Sequence, residues 1–270
     1  MIQGQLTAFQ PDIWQFYRTP LGVPGVWPWN WQGLSYPFWR IYWNEAPGAW
    51  ITFRDADYAL DPEYVVVVAP GTAIDHHVEA AVMHSYLHVS LGYPYDSVGP
   101  RIERIPVSEL PMQFLDTALA GVDTSPGQRR LDFAHTAAAY TFVGAILCAL
   151  PSDLWAPPPA DPAIRKIVEE ISRHPERAYP TACLAERCGI SVRTLLRRFH
   201  EQVGHSPYQF VLERRLQKAC LLLNQTNQSI ERIADACGFS DRYHLSKKFK
   251  SRFGWGPAKY RRSQSPKGRG

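Results

Sequence analysis

The sequence contains no apolar run long enough to cross a bilayer. The longest, within residues 137–150, carries Thr141 and falls short of the roughly 20 residues a spanning helix needs. The N-terminus lacks the basic region and apolar core of a secretory leader, so a cytoplasmic protein without a membrane partner is expected. Cysteine is sparse, with five residues at positions 148, 183, 188, 220 and 237. The count is odd, no pair has Cys-x-x-Cys spacing, and no pair of histidines lies nearby. Those facts argue against a disulfide framework or a zinc site and for small buried thiols in a reducing compartment. No Ser-His-Asp or Cys-His set with persuasive spacing is present, so no catalytic residue, no metal and no cofactor is expected, and an enzyme is not the favoured class.

What the chain has is an uneven distribution of charge. The formal net charge is only +4. Residues 161–270 nevertheless hold 22 Lys+Arg against 10 Asp+Glu, a net of +12, while residues 1–160 hold 7 against 15, a net of −8. One half is suited to a polyanion and the other is not. A length of 270 residues favours two domains.

The patterning changes along the chain accordingly. Residues 1–110 read as short strands, with candidates at 38–43, 49–54, 64–69 and 82–89 separated by Pro-Gly and Asp-Pro breakers. Tyr64 to Val68 is a continuous apolar run that suits a strand buried on both faces. Residues 111–150 read as a helical pair, over 110–120 and 129–150, whose small and apolar faces suit packing on the β domain or on a second subunit. The three consecutive prolines 157–159 mark residues 151–160 as a stiff linker. The expected domain from 161 to 263 opens with Asp161 as N-cap and Pro162 at the first helical position, and residues 264–270 form a basic tail.

Within that domain one helical pattern occurs twice, about fifty residues apart. Leu184-Ala185-x-x-Cys188-Gly189 is followed by Phe199, Gly204, Pro207 and Phe210. Ile233-Ala234-x-x-Cys237-Gly238 is followed by Phe249, Gly254, Pro257 and Tyr260. Each copy reads as helix, tight turn and second helix, with Thr181, Ser191 and Ser229 as expected N-caps and a glycine at each turn. A connecting helix over 206–223 suits two units about one DNA turn apart, near 34 Å. In the first probe helix Leu195 and Phe199 face inward, leaving Arg193, Leu196 and Arg197 outside. In the second, over 241–253, Leu245 and Phe249 face inward, leaving Arg242, Tyr243 and Lys247 outside. Arginine bonds guanine with two arms, and leucine suits a thymine methyl, so these six are the candidate base readers. Arg198, Lys248 and Lys250 lie further round each helix and suit phosphates.

Residues 161–262 resemble the AraC/XylS family of bacterial transcription regulators. The matching stretches include Ile190-Ser191-x-x-x-Leu195-x-Arg197-x-Phe199, Gly204-His205-Ser206-Pro207, Arg214-Arg215-Leu216, Gly238-Phe239-Ser240-Asp241 and Gly256-Pro257-x-x-Tyr260-Arg261. His200 departs from the usual lysine and Gly256 from the usual serine. The resemblance implies an α+β chain of two domains. An N-terminal cupin-like β-barrel with two dimerising helices would bind an effector, often a sugar. A C-terminal all-α domain would carry two helix-turn-helix units. It further implies double-stranded DNA and RNA polymerase as partners, a homodimer, and the role of an effector-responsive activator.

Two features of the first domain bear on that effector. Seven of nine tryptophans fall within the first fifty residues. Trp27, Trp29 and Trp31 alternate, which puts their indoles on one side if the segment is extended. Four of nine histidines fall at 76, 77, 84 and 88, and on a strand His84, Tyr86 and His88 share a face. These six residues are the candidate effector contacts. The spacing lacks the His-x-His plus Glu pattern of metal-binding cupins. Two rival readings are a cupin metalloenzyme fused to a DNA-targeting module, and an architectural DNA-binding protein that needs no ligand.

Overall fold

The computed structural model describes residues 11–24, 29–121, 132–155 and 159–264. The chain divides into two compact units, with the boundary between Trp155 and Ala156.

The first unit holds eight strands in two sheets. They are β1 (Asp12–Leu21), β2 (Trp39–Asn44), β3 (Ala49–Phe53), β4 (Ala56–Ala59), β5 (Tyr64–Val68), β6 (Asp75–Val78), β7 (Val82–Ser90) and β8 (Ile102–Pro106). The larger sheet has the order β1-β7-β2-β5-β8 and the smaller β4-β3-β6. Strands β2, β3, β5 and β7 answer to the apolar patterning of the sequence. The other four carry little of that signal, and each lies at a sheet edge, where charges and proline are tolerated because one side of the ladder needs no partner.

Alternation along β2 sorts its residues onto two faces. Trp39 and Ile41, with Val65, Val67, Leu87 and Val89 of the neighbouring strands, form one apolar layer. Onto it pack α1 (Met112–Ala120), through Leu115 and Leu119, and α2 (Phe133–Ala149), through Phe142, Val143 and Ile146. The opposite face presents Tyr42, Val66, Val68 and Tyr86 to Ala49 and Ile51 of the smaller sheet. The valine run of β5 is therefore covered on both sides, as its continuous apolar character requires.

The stretch expected as a linker begins later than the sequence suggests. Ser152–Leu154 form a 3-10 turn, Leu154 is buried, and Trp155 lies 5.7 Å from both Trp39 and Tyr95. Two large apolar side chains hold residues 152–155 in the first unit despite the prolines around them, so the expected linker at 151–160 is corrected at its start.

The second unit is helical: α3 (Pro162–Arg173), α4 (Thr181–Arg187), α5 (Val192–Val203), α6 (Pro207–Gln225), α7 (Ile230–Ala236), α8 (Arg242–Phe253) and α9 (Pro257–Gln264). Its starts are written in the sequence. Asp161 accepts from the Ala163 amide, Ser191 from Thr194, Ser229 from Arg232 and Asp241 from His244. At α6 the Ser206 hydroxyl and the Gln209 side chain each bond the other's backbone amide, closing a capping box ahead of Pro207. Thr181 does not cap α4 as expected: it is the first helical residue, and Pro180 stands at the cap without a side-chain bond.

Candidate DNA interface and the polar interior of the first unit

Each half of the second unit is a helix, a turn and a probe helix. The turns end in Gly189, at φ 63°, and Gly238, at φ 78°. Gly238 is fixed by crowding as well as by its dihedral, because a Cβ there would be driven into the Glu176 carbonyl. The same 175–177 loop is tied to α6: Arg215 donates to the carbonyls of Pro175 and Arg177 at 2.8 Å, and Lys218 meets Glu176 at 2.9 Å. Loop, turn and connecting helix thus fix one another.

The probe helices sit on apolar residues at spacings of four. Leu195 and Phe199 of α5, and Leu245 and Phe249 of α8, are fully buried. Phe249 packs edge-on against Phe253 and Tyr260, with centroids at 4.6 and 5.1 Å. The opposite faces are open to solvent. Arg193, Leu196 and Arg197 on α5, and Arg242, Tyr243 and Lys247 on α8, are all exposed. Tyr243 at 71% is far more open than an aromatic side chain in a monomeric protein usually is.

Two of these arginines are held by carboxylates. Arg197 bonds Glu201, one turn on, at 2.9 and 3.1 Å. Arg242 bonds Glu231 of α7 at 2.6 Å and the Tyr243 hydroxyl at 2.9 Å. Exposed pairs of this kind contribute little and exchange readily for a phosphate or base edge. Of the three residues expected on phosphates, Lys250 is exposed, and Lys248 is half-buried with its ammonium 5.9 Å from the Tyr208 ring of α6. Arg198 is half-buried. It pairs with Asp161, the cap of α3, at 3.2 Å, and so links two helices in the unbound chain.

In the first unit, His84, Tyr86 and His88 share one face of β7, as the alternation predicts, and all three are buried inside. Ring centroids step from His84 to Tyr86 at 5.7 Å and on to His88 at 5.1 Å. Trp29 is buried with them, 4.4 Å from His84 and 4.6 Å from His76 of β6. Trp31 is half-buried. Its amide bonds the Trp29 carbonyl at 3.0 Å, so the backbone turns between the two and the extended geometry assumed for the indoles is corrected. Trp27 lies outside the described residues.

Burial holds His76, His84 and His88 neutral, with pKa values well below the usual range and that of His84 at about 3. The neutral His84 ring bonds Asn44 through Nδ1 at 2.7 Å, and its Nε2 has no partner. Among the described residues no three His, Cys, Asp or Glu side chains gather to hold a metal ion. The residue of this interior that the sequence reading missed is Arg40 of β2, which is completely buried. Its trace in the sequence is one charge within Phe38-Trp39-Arg40-Ile41-Tyr42-Trp43.

Fold and face together define a class: a β domain with a helical pair, joined to a tandem helix-turn-helix unit with a basic probe face. Comparison with known proteins carries this further. Residues 184–263 match a family model described as a helix-turn-helix domain. The chain is 32% identical over 104 residues to the transcriptional activator RhaS of Escherichia fergusonii, covering 38% of this chain and 37% of that protein. It is 33% identical over 107 residues to the transcriptional regulator MtrA of Neisseria gonorrhoeae, covering 40% and 36%. The matches thus span little more than a third of either relative. Among solved structures, ToxT of Vibrio cholerae has the same fold over nearly the whole chain, with a TM-score of 0.53, 95% of this chain and 99% of ToxT covered, and 13% identity. The resemblance of the C-terminal unit to AraC/XylS regulators is therefore borne out. No helix among the described residues is long and apolar enough to cross a membrane.

Proposed function

We propose that this chain is a sequence-specific DNA-binding transcription regulator switched by a small molecule. The observation that carries the reading is the pair of probe helices, each anchored by a buried Leu-Phe pair and each presenting Arg or Lys outward. Arg193, Leu196 and Arg197 read one major-groove segment, and Arg242, Tyr243 and Lys247 read the next. Helix α6, with its 19 residues and about 28 Å of length, is the spacer between them. Lys248 and Lys250 hold phosphates, as does Arg198, which in the free chain is paired with Asp161.

The input is the polar interior of the first unit, whose buried histidines and indole lie against one another. The exposed face of α2 carries Phe133 at 89% and Tyr140 at 38%, with no Asp, Glu, Lys or Arg anywhere from Phe133 to Ala149. That face is the surface through which two copies pair, which places two tandem units on one promoter for activation with RNA polymerase. RhaS, similar over 104 residues, is named an activator. Selection of binding sites from random duplex DNA by the full chain tests the reading. Two contacted segments about one helical turn apart are expected for each chain, and failure to enrich any site overturns it.

A further inference from the structure

Among its described residues the first unit buries a cation with no anion beside it. Arg40 is 0% exposed, and its Nη1 and Nη2 atoms donate to the backbone carbonyls of Leu34, at 3.2 Å, and Thr72, at 2.5 Å. Its guanidinium carbon stands 5.1 Å from the Tyr36 ring centre, and its Nε has no hydrogen-bond partner. Among the described residues no carboxylate lies within ion-pair distance of it. The sequence from Met1 to Asn44 contains a single carboxylate, Asp12, which accepts from the Trp14 indole. The titratable groups around Arg40 are neutral: His76, His88 and Tyr42 all feel its charge, and none cancels it. Carbonyl dipoles, a ring face and the neighbouring Tyr42 hydroxyl, which interacts with the guanidinium by hydrogen bonding, orient it without neutralising it. A wholly buried charge left in that condition is costly, so an anion that arrives from outside explains why the arginine is there.

A second orphan donor lies in the same cluster. The Nε1 of Trp29 is buried without a partner, and Trp29 packs 4.6 Å from His76 and 5.7 Å from Tyr42. An unpaired indole N–H and an unpaired guanidinium Nε–H call for a group that only accepts, as a carboxylate does. The neighbouring side chains are aromatic: Tyr36, Phe38, Tyr42 and Tyr86 are all buried. One cation among neutral groups balances one negative charge, whereas a dicarboxylate or a phosphate dianion would bring a second charge with nothing to meet it. A neutral sugar, the effector the family resemblance suggests first, would leave Arg40 uncompensated.

Building on the reading of this unit as the ligand-taking part of a regulator, we infer that its effector is a monocarboxylic acid with an aromatic or aliphatic body, its carboxylate against Arg40. The test uses the full chain at pH 7.5, with benzoate and hexanoate as probes beside benzyl alcohol, 1-hexanol and glucose, read by thermal shift and titration calorimetry. The acids are expected to raise the melting temperature of the first unit and to bind roughly ten- to hundredfold more tightly than the matching alcohols. Arg40→Met is expected to abolish that preference and Arg40→Lys to keep part of it. Should Arg40→Met fail to fold, the comparison of acids with alcohols on the unaltered chain carries the test alone. Equal binding of alcohols or glucose, or undiminished acid binding by a folded Arg40→Met variant, overturns the carboxylate while the effector reading stands. Binding of no probe overturns both.

Discussion

At the scale of single residues, the three buried histidines have a consequence for acid stability. His76, His84 and His88 are held neutral in the folded protein, with pKa values below the unfolded value of 6.5. Above pH 6.5 both states are neutral and the groups contribute no pH dependence. As the pH falls below 6.5 the unfolded chain takes up protons that the folded interior refuses, so stability declines until the folded value, about 3 for His84, is reached. Each histidine then costs about 1.4 kcal/mol per pH unit. The thermal transition of the first unit, followed by its tryptophan fluorescence, is expected to fall steadily from pH 6.5 to pH 5. A midpoint unchanged over that range contradicts the buried, neutral state. The polar interior was half legible in the sequence. The period-two spacing of His84, Tyr86 and His88 announces a shared face, because alternation is a property of the strand itself. Arg40 was not legible as a buried charge, since burial depends on the smaller sheet and on the Leu34 and Thr72 segments, which are distant in sequence.

At the scale of elements, the second unit was read almost completely and the first only in part. Helix starts are local chemistry: Asp161, Ser191 and Ser229 each cap the helix that their position announces. Strand β5 was likewise visible as a run of valine. Edge strands β1, β4, β6 and β8 were not, because their residues are chosen by pairing with a neighbour rather than by an apolar pattern. The residues at 152–155 misled for the same reason, since prolines are a local signal and the docking of Trp155 on Trp39 is not. Where local and tertiary demands coincide, a single change is severe. Gly238 has a positive φ and no room for a Cβ beside Glu176. Gly238→Ala is expected to destabilise the second unit by well over the roughly 1 kcal/mol of an ordinary helix-end glycine, in urea unfolding followed by circular dichroism. Gly189→Ala, with the same φ sign and open space around it, is expected to cost less. Equal losses at both positions contradict the crowding argument.

At the scale of the whole molecule, the separation of charge orients the protein on its partner. A net +12 over residues 161–270 and −8 over residues 1–160 attracts the second unit to a polyanion and keeps the first away. Affinity for duplex DNA is expected to fall steeply with salt, with a logarithmic slope of about −0.9 for each phosphate neutralised. Lys250→Ala, at the exposed position proposed to meet a phosphate, is expected to make that slope shallower by about one unit and to weaken all sequences alike. Fluorescence anisotropy titrations between low and moderate salt measure both, and an unaltered slope contradicts a phosphate contact there.

We propose that both probe helices read DNA, each through an outward basic residue opposite a buried Leu-Phe pair. The most direct measurement is a titration of a selected operator with the full chain and with Arg197→Ala and Lys247→Ala, one from each helix. Each variant is expected to bind the operator more weakly by about 1–3 kcal/mol, while its thermal melt and its affinity for unrelated duplex stay close to those of the unaltered chain. Operator affinity unchanged in either variant would show that its helix does not read bases, and the two-groove account would not stand.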